Sequence, residues 1–178
     1  MLLCGDSDRV IIMSTKKIAF LGIMLAIMLI LVVVERALVT VMPPQFGGIG
    51  LSNIIIMYLL FFIGKKEAIT MAILKSVFNF LIRGPIASLL SLSGGLLSVF
   101  VILAFRGIFK DRASFVALSI SGAVAHNLGQ LVVACLIMQN WRLFYAFFPF
   151  LLIAGAIFGT VTGISLKVLM PIFDRIYE

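Results

Sequence analysis

The sequence is poor in most of what soluble chemistry requires. Only 12% of its 178 residues are charged, where soluble domains carry about 25%. The four aspartates, Asp6, Asp8, Asp111 and Asp174, are scattered, so no aspartate-rich cluster exists to hold magnesium against a diphosphate. No GxxxxGK[ST] loop is present, so the chain cannot energise a process with ATP by itself. HExxH and GxSxG are also missing. One histidine and seven acidic residues leave little for general acid–base chemistry. The expectation is a chain that is not itself an enzyme and carries no metal or cofactor. Cys4 and Cys135 fall at different depths of any membrane arrangement, so neither a disulfide nor a metal site is expected.

What the chain does have is apolar length. Hydrophobic residues make up 63% of it, too much for a single dry core to hide, so the class is an integral membrane protein. Its length suits one compact bundle with short loops. The start MLLCGDSDRVIIM is too short and too charged for a signal peptide. Residues 1–15 read as a poorly ordered extension, with Met13 an alternative natural start. Residues 16–178 read as one membrane domain.

Charge, glycine and proline divide the apolar stretch into six expected spans, an all-α six-transmembrane-helix bundle. They run over about 16–34, 51–63, 67–82, 86–105, 114–138 and 143–170. The second and third are short, and Pro149 is expected to kink the sixth. The loop TVMPPQFGGIG after the first span cannot continue a helix. Lys16, Lys17, Lys65, Lys66, Arg106, Lys110, Arg112, Lys167 and Arg175 gather on one side, against Arg36, Arg83 and Arg142 on the other. The net charge of +7 therefore reads as a cytoplasmic rim rather than nucleic-acid binding, with both termini cytoplasmic in a multi-pass cell-membrane protein.

Polar residues inside such spans are costly and point into the bundle. Lys75, Asn79 and Arg83 are spaced four apart on the third span, and so share one helix face. His126, Asn127 and Gln130 lie in AHNLGQ on the fifth span. Ser88, Ser91 and Ser93 precede Gly94-Gly95 on the fourth, and Glu35, Gln45 and Asn53 flank the first loop. One reading is an outward-opening polar cavity. Lys75, Asn79, Arg83, Ser91, Asn53, His126, Asn127 and Gln130 would line it, with the cations set for a phosphate or carboxylate. The other reading is internal: Lys75 neutralises Glu35 or caps carbonyls, Arg83 snorkels outward, and His126 and Asn127 join helices. Phe46, Phe80, Trp141 and Tyr145 are candidates to stack on a ring-bearing guest. Gly155, Gly159 and Gly163 form a small-residue seam that reads as internal packing. Gly22 and Ala26 form a second seam, for which docking to a partner membrane subunit is an alternative.

The run KKIAFLGIMLAIMLILVVVERAL, the outward Gly/Pro loop, SNIIIMYLLFFIGKKEAITMAILKSVFNFLIRG, and the segments SGGLLS and GAVAHNLGQ together resemble the Gx transporter family. That family is also labelled heptaprenyl diphosphate synthase component I. It is similar to the substrate-binding S components of energy-coupling factor (ECF) vitamin transporters. The resemblance covers about residues 16–170. It implies an S-component-like protein that binds a small-molecule substrate near the outer face of the lipid bilayer. The partners implied are a transmembrane coupling subunit, met by the Ala19, Gly22 and Ala26 face, and two cytoplasmic ATPases. The older label implies instead a non-catalytic accessory subunit of an isoprenoid or electron-transfer complex. A self-sufficient carrier, proton-linked through His126 and Glu35, is a third possibility, disfavoured because no inverted repeat is evident.

Overall fold

The computed structural model describes the backbone of residues 7–39, 50–109 and 114–177, and the side chains of residues 15–37, 50–109 and 114–168. Within these residues the chain is all-helical. The order is α1 (Ser7–Val39), α2 (Asn53–Tyr58), α3 (Lys65–Arg83), α4 (Pro85–Phe109), α5 (Phe115–Ile137) and α6 (Arg142–Tyr177). Four helical stretches are long and apolar enough to cross a membrane: Thr15–Ala37, Pro85–Phe109, Phe115–Ile137 and Arg142–Val168. Gln45 and Phe46 lie outside the described residues.

α2 differs from the rest. It continues into a π-helical turn, Leu59–Ile63, closed by the Gly64 amide donating to the Leu59 carbonyl at 2.8 Å. The apolar stretch Asn53–Ile63 rises only about 16 Å, roughly half the hydrocarbon thickness. It is apolar around its whole circumference, and every residue from Ile54 to Leu60 is buried. A helix with no polar face must be enclosed, and α2 is the centre of the core. Met24 and Met28 of α1, Met71 and Ala72 of α3, Ile102 of α4 and Leu166 of α6 join its core cluster. Methionine suits this position because its unbranched side chain fills irregular gaps between crossing helices. α3 is 19 residues long but is interrupted by Lys65, Lys66, Glu67, Lys75 and Arg83.

Small residues set how closely the long helices approach. On α6, a Cβ at Gly155, Gly159 or Gly163 would sit 3.0, 2.7 or 2.8 Å from the Cα of Val124, Ile120 or Val116. Both rows recur every four residues, so antiparallel α5 and α6 meet backbone to backbone, as expected for an internal packing seam. α4 and α5 cross in the same way. A Cβ at Gly129 would lie 2.8 Å from the Ser93 carbonyl oxygen, and one at Gly94 would lie 2.8 Å from both the His126 carbonyl oxygen and Nδ1. The SGGLLS and GAVAHNLGQ segments are therefore two halves of one contact.

α1 is attached along a single stripe, Phe20, Met24 and Met28, spaced by one turn. The opposite face, with Ala19, Gly22, Ala26 and Ile30, is exposed, and a Cβ at Gly22 would meet nothing within 4 Å.

These contacts predict opposite outcomes for two glycine substitutions. Gly159→Ala must push backbone apart and should destabilise by about 1–3 kcal/mol. Gly22→Ala meets no obstacle and should be neutral or slightly stabilising, because alanine favours a helix over glycine. Thermal unfolding in detergent measures both. Equal tolerance at the two positions would contradict the close α5–α6 approach.

Candidate functional site

The polar face of α3 is turned inward. Lys75, Ser76 and Asn79 are 6%, 4% and 5% exposed. Arg83, at the last position of α3, is exposed and makes no ion pair among the described residues. The stripe is divided between two tasks. Asn79 Nδ2 donates to Ser91 Oγ at 2.9 Å, and the Ser76 hydroxyl donates to the Ser88 carbonyl oxygen at 2.9 Å. Those bonds tie α3 to α4, so Asn79 and Ser91 satisfy one another. Lys75 reaches the other way, donating from Nζ to Asn53 Oδ1 at 2.8 Å.

Asn53 opens α2, next to a carboxylate that the chain also satisfies. Glu35 accepts from the Gly50 amide and from Ser52 Oγ. It is near enough to act on the Lys75 charge without touching it. One cation and one anion thus flank the first turn of α2, each held through neutral partners. Burying an ammonium is tolerable only with such partners.

α5 supplies the facing wall. His126 and Asn127 are each 6% exposed. Asn127 Nδ2 donates to the Leu151 carbonyl oxygen of α6 at 3.0 Å. Gln130 Nε2 lies 3.0 Å from His126 Nε2. The Gln130 amide and the His126 ring thus pair along one face of α5, one turn apart. The His126 Nδ1 and the hydroxyl of Ser119 are buried without a hydrogen-bond partner among the described residues.

These elements enclose a cavity of about 20 Å³, whose polar lining is Asn53, Ser98, Ser119, His126, Asn127 and Thr162. That volume accommodates about one water molecule, so a larger guest requires the walls to part. Of the sequence candidates, Asn53, His126 and Asn127 line it. Lys75 and Gln130 touch it through Asn53 and His126. Asn79, Ser91 and Arg83 do not line it. Phe80, Trp141 and Tyr145 are 52%, 52% and 78% exposed. They project from the bundle, and the aromatic ring at the cavity is Phe158. Ser98, Ser119, Phe158 and Thr162 were not among the sequence candidates. Ser119 had a readable signal, because it lies seven residues before His126, on the same face of α5.

The Lys75–Asn53 bond predicts a specific coupling. Asn53→Leu strands a buried ammonium and should destabilise the protein by about 1.5–3 kcal/mol. Adding Lys75→Met removes the stranded charge and should recover much of that loss. Additive effects in detergent unfolding would show that the two side chains do not depend on each other.

Comparison with known proteins places this geometry in a family. No curated protein and no solved structure matches the chain. A family model described as Heptaprenyl diphosphate synthase component I matches residues 24–169, from the buried stripe of α1 into the last turns of α6. The chain, with its buried lysine and small internal cavity, belongs to the heptaprenyl diphosphate synthase component I family.

Proposed function

We propose that the chain is a substrate-binding membrane subunit, S-component-like, of an ECF-type transporter, and that it imports a small, anionic, vitamin-like metabolite across the cell membrane. The observation that carries this reading is Lys75. It is a buried cation whose partner, Asn53, also lines a small cavity with polar side chains on its wall. A lysine serving only to join helices has no need of a cavity beyond its partner. An anion entering from outside would meet Asn53 first and exchange it for the ammonium.

On this reading α2 and α3 complete six spans and both termini are cytoplasmic. The basic end of the bundle supports that orientation. Lys17 pairs with Glu67 at the start of α3, and Arg106 lies over the Phe61 ring at 5.6 Å. Lys65 and Lys66 share that end, whereas Arg83 and Arg142 lie at the other ends of their helices. An excess of Lys and Arg marks the cytoplasmic side.

The partners on this reading are a transmembrane coupling subunit and two cytoplasmic ATPases, since the chain has no nucleotide loop of its own. The exposed Ala19, Gly22 and Ala26 face of α1 is the docking surface, because small residues allow a second helix to approach closely. A second reading follows the words of the family description: a non-catalytic accessory subunit of an isoprenoid (heptaprenyl diphosphate) synthesis or electron-transfer complex. Both readings assign catalysis to other chains.

Lys75→Ala is expected to weaken binding of a carboxylate ligand by more than 1.4 kcal/mol, roughly tenfold, while the protein still folds. Isothermal titration in detergent measures this; intact affinity with collapsed stability makes Lys75 structural. Gly22→Leu or Ala26→Leu is expected to spare ligand binding and block assembly with the coupling subunit. Affinity capture of an intact complex carrying either substitution removes α1 as the docking face.

A further inference from the structure

Hydroxyls inside membrane helices ordinarily bond back to their own backbone. This chain does so repeatedly. Ser121 donates to the Leu118 carbonyl oxygen at 2.9 Å, Thr160 to Ala156 at 2.7 Å, and Ser93 to Leu90 at 3.0 Å. Ser98, Ser119 and Thr162 are exceptions. They come from three helices, α4, α5 and α6, and are 8%, 1% and 4% exposed. None of their hydroxyls makes a hydrogen bond among the described residues. All three line the same cavity. Among the three, the Ser119 hydroxyl is fully buried without a partner, which is a stability liability, and it shares its cavity wall with Ser98 and Thr162.

The three also occupy one end of the cavity. Ser119 lies seven residues from His126 along α5, and Thr162 lies seven from Gly155 along α6, about 10 Å in each case. Both displacements run toward the basic end of the bundle, away from Asn53 and Lys75. The cavity therefore has one end at Asn53, the residue that attends Lys75, and a hydroxyl end deeper in.

We infer that Ser98, Ser119 and Thr162 form a second subsite that reads a neutral hydroxyl or carbonyl group of the guest, while Lys75 and Asn53 hold its anionic group. This rests on the binding reading above and narrows it. A hydroxyl both donates and accepts, so a cluster of three suits a neutral group that does the same better than it suits an ion. Lys75 is the one buried cation among the described residues. A monoanion matches it, whereas a doubly charged phosphate leaves one charge uncompensated in a low-dielectric interior. The guest class is a hydroxylated monocarboxylate.

The test uses wild-type protein, Lys75→Ala, and the triple variant Ser98→Ala, Ser119→Ala, Thr162→Val, all purified in detergent. The probes are glycerate as a hydroxylated monocarboxylate, propionate as its hydroxyl-free counterpart, and inorganic phosphate. Wild type is expected to be stabilised by both carboxylates, with glycerate about tenfold tighter than propionate, the size of one good buried hydrogen bond, and with phosphate weakest. The triple variant should keep the propionate response and lose the glycerate preference, and Lys75→Ala should lose both. Without probe, the triple variant should unfold at the wild-type temperature or higher. A glycerate preference that survives in the triple variant overturns the subsite and leaves the binding reading standing. A marked drop in its unliganded unfolding temperature assigns the hydroxyls a structural role and also overturns the subsite. No response of wild type to either carboxylate removes the binding reading and the subsite together.

Discussion

A buried ammonium dictates much of this arrangement. Lys75 lies on the inner face of α3, and its only hydrogen-bond partner among the described residues is Asn53. A charge in that position is costly unless something neutral or anionic attends it. The partner must come from the start of α2, so α2 is fixed in the middle of the bundle with its first turn at the level of Lys75. The same turn carries Ser52 and Gly50 to Glu35, which fixes the end of α1. Two opposite charges are thus held apart by one turn of helix, each through neutral groups. A direct ion pair would satisfy both and leave neither available. The observed arrangement keeps Lys75 attended by a neutral amide.

Much of this was legible in the sequence, and the reasons for the rest are physical. The long apolar stretches of α1, α4, α5 and α6 announced themselves through length and composition. The spacing of Gly155, Gly159 and Gly163 correctly indicated packing, because the backbone of α5 fills the groove they leave. Four-residue spacing put Lys75 and Asn79 on one face, and both are buried. Spacing could not say which neighbour each would meet. Asn79 turned to Ser91 on the next helix, whereas Lys75 turned to a residue 22 positions earlier in the chain. Arg83 shares their face in projection, but it sits at the helix end, where the long side chain reaches solvent.

The cavity lining was harder to read. Ser98, Ser119 and Thr162 lie in runs where serine and threonine are usually bonded to their own helix. Only tertiary structure reveals that these three are not, while Ser93, Ser121 and Thr160 are. The aromatic candidates point outward for a related reason. With sixteen phenylalanines in the chain, an aromatic near any given position is unremarkable, and Phe80, Trp141 and Tyr145 cover the outside of the bundle. The close crossing of α4 on α5 explains why two glycine-containing segments far apart in sequence belong together. It also explains why His126 is held so tightly, since Gly94 admits the ring where any side chain would exclude it.

The central claim is that the polar interior around Lys75 exists for a guest. Native mass spectrometry of the freshly purified protein, released from detergent in the instrument, tests it most directly. The account predicts a low-mass anionic adduct on wild-type protein that disappears in Lys75→Ala. Wild-type protein that flies at its bare mass, as free of adduct as Lys75→Ala and unaltered by added carboxylates, would contradict it.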